Sequence, residues 1–332
     1  MDNEIMLSVM VVVYNHETYL RQSLDSVLMQ NTDFLYEILV IDDCSTDHSQ
    51  DIIREYKAKY PDKFRIFLRK KNVGGTKNVY CLEQRARGKY IAQLEGDDYW
   101  TDPFKLQKQV DFLERNKGYI GCSHECLVVN ENNEPIPDRN KNDVKTFWYF
   151  EKNKYTLEDF NQGKYPGQCN TWVYRNIFIE KKYDYSIVYK VHKLIADRTT
   201  LLFLAAQGNF YFMNEKMGNY RYVEKKTADN WQSLARKTNR RYEEFAYICA
   251  IEKYGKEVMK KPVDLSYVKK DKMVCAAVVL LNHWNMENFK VVTGMIHVSG
   301  TPFRMFVLSL RAMLQKLYYR KIFGEDRPIK ID

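Results

Sequence analysis

Along the first 120 residues the apolar positions alternate between unbroken runs and helical spacing. "LSVMVVV" (7–13) is a continuous apolar run, the pattern of a parallel strand buried on both faces. In "ETYLRQSLDSVLMQN", Leu20, Leu24, Val27 and Leu28 fall at the three-to-four spacing of a helix with one apolar face. "EILVI" (37–41) predicts a second strand, and "STDHSQDIIREYKAKY" a second helix opened by a Ser/Thr/Asp cap. "FRIFL" (64–68), then "GGTKNVYCLEQRAR" with glycine at its start, then "YIAQL" (90–94) complete strand, helix and strand. This spacing predicts right-handed crossovers and a mostly parallel, Rossmann-like α/β sheet with helices on both faces.

Beyond residue 103 the alternation loosens. "PFKLQKQVDFLERN" predicts a helix with Pro103 at its first position, and "YIGCSHECLVVN" a further strand. A polar, proline-containing loop occupies 130–143, and an aromatic-rich stretch holds strand candidates in "TWVYRN" and "NFYFMN". From about residue 227 the periodicity is helical, with no internal repeat or low-complexity segment. Near 302–323, Phe303, Phe306, Val307, Leu310, Met313, Leu314 and Leu317 keep helical spacing among Arg304, Arg311, Lys316, Arg320 and Lys321. Such a basic amphipathic helix suits either a membrane interface or packing on its own domain.

Length and composition narrow the class. At 332 residues, 45% apolar and 29% charged, the chain is globular and long enough for a large domain with an appendage, or for two domains. A formal charge of +9 favours anionic partners. The short N-terminal apolar run follows acidic residues and lacks a small-residue cleavage site, so it reads as a strand and not a signal peptide. No stretch reaches the roughly 18 apolar residues of a membrane span. Seven scattered cysteines suit a reducing cytoplasm, and "CSHEC" (122–126) has no second pair to complete a zinc site.

The candidate chemistry lies where the strands end. In an open parallel sheet, ligands bind beyond the carboxyl ends of the strands. The four candidate strands here lead into "YNHE", "DDCS", "NVGGTKN" and "EGDD". Glu95, Asp97 and Asp98 crowd three carboxylates into four positions, an arrangement that is costly to desolvate unless a cation sits among them. Hard oxygen ligands point to Mg2+ or Mn2+.

In that order and context, "SVMVVVYNHETYLRQSLDSVLMQ", "EILVIDDCSTDHSQDII", "NVGGTKN", "ARGKYIAQLEGDDYWTDPFKLQKQVDFLE" and "ADRTTLLFLAAQGNFYFMNEKMGNYRY" resemble an inverting family 2 glycosyltransferase with the GT-A fold. The likeness spans about 6–222. It implies a transferase domain over 1–222, with a nucleotide-sugar half (1–120) and an acceptor half (121–222), followed by a helical extension over 223–332. It also implies roles for single residues. "EGDD" resembles the family's D-x-D motif, with Asp98 as the direct ligand of Mg2+ or Mn2+, Asp97 at the ribose or donor sugar, and Glu95 in the leading acidic place. Asp43 matches the carboxylate that meets the uracil ring, with Asp42 beside it in a structural or contact role. Tyr14 matches an aromatic against the base, with backbone contacts from Val12. Lys77 stands where relatives carry a cation near the diphosphate, and Asp197 where they carry the general base. The implied donor is a UDP-sugar, and the implied acceptor a glycan or lipid-linked intermediate of cell-surface polysaccharide synthesis at the cytoplasmic face of a membrane.

One position departs from the pattern. Where many relatives have Y-R-x-H, this chain has "YRYV", with Val223 in place of histidine. The resemblance then leaves diphosphate neutralisation to Arg221, Lys225 or Lys226, or leaves that contact absent. "GQCNTWVYRN" falls on the acceptor side, where Trp172 is either a stacking residue or core, the latter being commoner. His16 and Glu17 read as caps of the first helix. A nucleotidyltransferase stays open as an alternative, against which counts the absence of glycine after strand one. So does a non-catalytic binding or scaffold protein. The absence of G-x-G-x-x-G excludes a dinucleotide oxidoreductase, and no basic stripe with interleaved aromatics supports nucleic-acid binding outside the C-terminal helix.

Overall fold

The computed structural model of the chain describes residues 4–138, 143–144, 146, 150–193, 195–223 and 239–323; Lys225 and Lys226 lie outside them. The described residues form two compact units, 4–160 with 164–223, and 161–163 with 239–323.

The first unit follows the sequence rhythm closely. Strand β1 (Leu7–Val13), helix α1 (Leu20–Leu28), β2 (Tyr36–Asp42), α2 (Ser49–Lys59), β3 (Phe64–Leu68), α3 (Gly75–Glu83) and β4 (Tyr90–Glu95) alternate as predicted. Then come β5 (Tyr99–Trp100), α4 (Lys105–Arg115) and β6 (Tyr119–Val129). Helix α4 starts two residues after Pro103, at a turn in which Asp102 accepts from the Phe104 N–H at 2.8 Å. The polar loop holds a two-residue ladder, β7 (Pro137–Asp138) with β8 (Asp143–Val144). The acceptor-side stretch contributes β9 (Lys154–Tyr155), α5 (Leu157–Asn161), β10 (Val173–Arg175), α6 (Ile187–Lys190), α7 (Asp197–Ala205) and β11 (Asn209–Arg221).

Nine of these strands make one sheet, in the order β3-β2-β1-β4-β10-β6-β11-β5, with β9 beside β11. The run β3-β2-β1-β4 is parallel, and β6 pairs with β11 in parallel. Strand β10 runs antiparallel between β4 and β6. The two expected halves therefore share a sheet. Leu7, Val9, Val11 and Val13 of β1 are fully buried, and Leu20, Leu24 and Val27 of α1, Ile53 of α2, and Leu106 and Leu113 of α4 pack into the same core. Burying each such side chain stabilises the fold by about 1.5–3 kcal/mol.

Both rims of the parallel strands carry buried charge. At the amino-terminal rim, Glu37, 2% exposed, accepts from Ser8 Oγ at 2.7 Å, Arg87 N at 2.9 Å, and the guanidinium groups of Arg87 and Arg65. These contacts hold its carboxyl below the usual range against the desolvation that would raise it. Next to it Gly88 is obligatory, because a Cβ there would lie 2.5 Å from the Ser8 nitrogen. The carboxyl-terminal rim carries the candidate site.

The second unit is helical, with α8 (Arg241–Glu257), α9 (Ser266–Asn282), α10 (Met286–Val298) and α11 (Pro302–Phe323). Phe245, Met273, Leu280, Val292, Met295 and Met305 make its core. No helix among the described residues is long and apolar enough to cross a membrane.

Candidate functional site

Parallel register sets the site's frame. Val13 pairs with Asp42, and Val12 with Glu95, so the ends of β1, β2 and β4 lie side by side. Backbone bonds carry that alignment past the strands: Asp43 N–H donates to Val13 O, and Gly96 N–H to Val12 O, both at 2.9 Å. Just beyond, Asn15 (φ 55°) and Cys44 (φ 66°) sit in the left-handed region, which costs a non-glycine residue of order 1–3 kcal/mol. The turn holding them is cross-linked, because Ser45 Oγ accepts from Asn15 N at 2.9 Å and Asn15 Oδ1 from Thr46 N at 2.8 Å.

Two neighbouring acids at the end of β2 do different work. Asp42, fully buried, accepts from Ser45 N and Oγ and from Gln50 Nε2, and so shapes the turn. Asp43 points towards the loop before α3, its two oxygens accepting from Val73 N at 2.8 Å and Gly74 N at 2.9 Å. Gly74 is required there: its φ is +92°, and a Cβ would stand 2.8 Å from the Lys193 carbonyl oxygen. Val12 and Tyr14 are half-buried along this frame. Lys77, in the first turn of α3, is exposed, with its ammonium 5.6 Å from the Tyr189 ring centroid; no contact brings it to the acidic turn among the described residues.

The acidic turn itself converges. Among the described residues, Glu95, Asp97 and Asp98 offer carboxylate oxygens that all lie within 4.8 Å of one another. Asp98, 1% exposed, accepts from Arg221 N at 2.8 Å and Asn170 Nδ2 at 2.9 Å. Its pKa is nonetheless well above the usual carboxylate range, first through desolvation and then through the charges of Asp97 and Glu95. Glu95 is raised too, by desolvation and by Asp97 and Asp197, although its side chain still meets solvent. Asp97 Oδ1 is buried with no hydrogen-bond partner among the described residues. An orphaned buried oxygen, two raised carboxyls and an all-oxygen donor set fit a hard divalent cation.

Asp197 joins this group from the first turn of α7. Burial raises its pKa, against the Arg198 N–H that donates to it at 2.8 Å, and its charge reaches Glu95. The segment before it and α7 are bolted to α3 at both ends. Thr76 Oγ1 donates to His192 O at 2.8 Å, and Thr200 Oγ1 to the buried Glu83 Oε1 at 2.9 Å. Desolvation pushes Glu83 up to about 8.

Three expectations need correction. Arg221 does not offer an open guanidinium: it is 2% exposed and donates to Asp97 O at 2.9 Å, to Gln22 Oε1 at 2.7 Å and to the carbonyls of residues 130 and 131. With its charge 4.2 Å from the Tyr19 ring centroid, it braces the acidic turn from beneath. His16 is no helix cap by its side chain; its Nε2 lies 3.8 Å from Asp97 Oδ2, and room for the ring comes from Gly96, whose Cβ would approach Nδ1 to 2.7 Å. Glu17 serves the second helix and not the first, accepting from His48 N at 2.9 Å.

Val223, at the place of the expected histidine, is buried. Trp172 is fully buried with its Nε1 donating to Gly167 O at 3.2 Å, which makes it core. Asn170 and Gln22 were missed by sequence reasoning. Neither carries a local signal, since both reach the turn through pairings of distant strands and helices.

Comparison with known proteins places residues 8–181 within the family profile of Glycosyl transferase family 2. An uncharacterized protein of Mycobacterium tuberculosis is 45% identical over 125 residues, 38% of this chain, and the match spans 36% of that protein's length. The putative teichuronic acid biosynthesis glycosyltransferase TuaG of Bacillus subtilis is 27% identical over 235 residues, 70% of this chain and 85% of TuaG. Among solved structures, residues 1–349 of S. aureus TarS, in complex with UDP-GlcNAc, superpose with a TM-score of 0.64 at 15% identity, over 96% of this chain and 87% of that one. This last likeness speaks for the fold alone.

Proposed function

Because the chain belongs to glycosyltransferase family 2, we propose that it moves a sugar, with inversion, from a nucleotide-diphospho-sugar to a hydroxyl of a growing glycan or lipid-linked acceptor in cell-surface polysaccharide synthesis. The observation that carries this reading is the meeting of Glu95, Asp97 and Asp98 at the carboxyl rim of the sheet, with Asp197 near enough for its charge to raise Glu95.

The residues divide the work by chemistry. Asp43 and the half-buried Tyr14 and Val12 line the base end, where Asp43 keeps a lone pair on each oxygen for a ring N–H after serving Val73 and Gly74. Asp98, with Asp97 and Glu95 beside it, would hold Mg2+ or Mn2+, whose chemistry is Lewis-acid stabilisation of charge on a departing diphosphate. Lys77 is the cation on the donor-loop helix, and its exposed ammonium is able to swing from Tyr189 to a phosphate. Asp197 takes the acceptor proton; a raised pKa brings a carboxylate closer to the working pH of a base. TuaG, named for teichuronic acid biosynthesis, and TarS, crystallised with UDP-GlcNAc, make UDP-sugars the first donors to test and cell-wall glycans the first acceptors. A cytoplasmic site of action follows from that choice of donor.

The test is a screen of nucleotide-sugars for Mn2+-dependent transfer or hydrolysis, with Asp98→Ala and Asp197→Asn alongside. Turnover of one donor, abolished by the first change and slowed in kcat by the second, is expected. Mn2+-driven turnover untouched by both substitutions would show that the site lies elsewhere.

A further inference from the structure

Helix α11 packs one face on its own unit and leaves the other exposed. One face packs inward: Met305 and Ala312 are buried, and Leu308 and Met313 fill in around them against the core of the helical unit. The opposite face is apolar as well and is not covered by the described residues. Phe303 is 80% exposed, Phe306 54%, Leu310 49% and Leu314 58%, with Val307 and Leu317 close behind. At a helix's 100° per residue, these positions fall within a stripe about 100° wide and about 20 Å long. Exposed apolar stripes of this size on a protein surface mark an interaction surface.

Charge decides the partner. The 22 residues of α11 contain no acid. Arg304 and Arg311 are exposed on one flank of the stripe. Two copies meeting through this face would bring two acid-free, basic helices together. An anionic lipid surface satisfies both halves at once, taking the aromatic and aliphatic side chains into its interfacial layer and the exposed Arg304 guanidinium among its phosphates. We propose that α11 is a peripheral membrane anchor, lying in the plane of an anionic leaflet on its Phe303–Phe306–Leu310–Leu314 face while its other face stays packed. The surface stands independently of the transfer chemistry, and vesicle binding and donor turnover are separate readouts.

The experiment is co-sedimentation of the full chain with phosphatidylglycerol/phosphatidylcholine vesicles and with pure phosphatidylcholine vesicles. Light scattering in the absence of lipid runs beside it. Binding at least tenfold stronger to the anionic vesicles is expected. It should fall about tenfold in Leu310→Ser/Leu314→Ser and again in Arg304→Glu, with melting temperatures held because the changed side chains are exposed. Lack of binding by the unaltered chain overturns the proposal, as does equal binding by the serine variant. A dimer in light scattering that the serine variant dissociates would assign the stripe to a second copy and overturn it too.

Discussion

Replacing Asp98 with asparagine is expected to stabilise the protein without divalent cation and to leave it behind the unaltered chain when Mn2+ is added. The three carboxylates of the turn have oxygens within 4.8 Å. At that distance two unit charges in an effective dielectric of 20 repel by about 3.5 kcal/mol. Partial protonation relieves some of this, as the raised pKa of Asp98 records. The substituted amide would keep an oxygen for the Arg221 N–H but lose the acceptor facing Asn170 Nδ2, at a cost of about 1 kcal/mol. The net gain for the metal-free protein is then about 1–2 kcal/mol. In Mn2+ at about one hundred times its dissociation constant, the unaltered chain gains about 2.7 kcal/mol, and a variant lacking both the charge and the ligand gains little.

Thermal unfolding at pH 8 in EDTA and in excess MnCl2 reads both arms. A shift of about 2–4 °C accompanies each kcal/mol for a unit of this size, so the melting order should invert between the two conditions. The pH dependence has a definite sign. Folded-state pKa values above the unfolded ones mean that the ionised cluster costs stability at high pH, so acidification from pH 8 should recover stability in EDTA, less so in the variant. If Asp98→Asn destabilises in EDTA and Mn2+ shifts both proteins alike, Asp98 is a structural acceptor and the cation reading fails.

Asp197→Asn should lower kcat by roughly 10²–10⁴ with the donor KM nearly unchanged, in steady-state assays once a donor is known; a donor KM effect alone would move Asp197 out of the base role. Gly74→Ala places a side chain at φ +92° and against the Lys193 carbonyl, so a loss of about 1–3 kcal/mol in denaturant titrations is expected, with weaker nucleotide binding as the Asp43 contacts loosen; an unchanged midpoint would show the loop to be unconstrained. Lys105 is fully buried, its ammonium 4.0 Å from the Trp100 ring centroid with no hydrogen-bond partner among the described residues, and desolvation lowers its pKa from 10.5 to about 7. That gap corresponds to about 5 kcal/mol, against which cation–π attraction returns about 2 kcal/mol. Lys105→Met is therefore expected to be up to about 3 kcal/mol more stable at pH 7. The unaltered chain, whose folded state sheds this proton before the unfolded state does, should gain stability between pH 7 and 10.5 while the variant stays flatter. Urea midpoints across that range decide it, and a destabilised Met variant would mean that the ammonium has polar company.

What the sequence displayed clearly is local in origin. Each of β1 to β4 is an apolar run ended by a turn, so its place and burial follow from period and length alone. The acidic knot of 95–98 was visible because a parallel sheet brings its strand ends to one rim. Less was visible where distant pairing decides. Strand β10 forms within "TWVYRN", where the sequence predicts a strand, but its antiparallel place between β4 and β6 is set by distant pairing that a local pattern does not reveal. Strand β11 runs seven residues past "NFYFMN" because register shifts at Lys216 and Gly218 absorb the break in its alternation. Arg221 ends that strand: offered by the sequence as one replacement for the histidine absent at 223, it is instead delivered by pairing with β6 so that its N–H meets Asp98 and its guanidinium is buried on the Asp97 carbonyl.

That burial bears on how the site tolerates its own charge. Burying Asp98 beside two further carboxylates is too costly for one compensating group. The fold divides the compensation: Arg221 supplies a positive charge, its guanidinium donating to the Asp97 carbonyl, and Asn170 and the Arg221 amide supply two hydrogen bonds to Asp98, while His16 Nε2 stands 3.8 Å from Asp97 Oδ2. The sum is incomplete, because Asp97 Oδ1 still lacks a donor among the described residues and both Glu95 and Asp98 remain raised. A structural carboxylate cluster would have been satisfied by its neighbours, as Glu37 is at the opposite rim with two arginines, a serine and an amide. The contrast between those two acidic sites within one sheet, one saturated and one left short, is the physical reason to assign the missing positive charge at the second to something that arrives from solution.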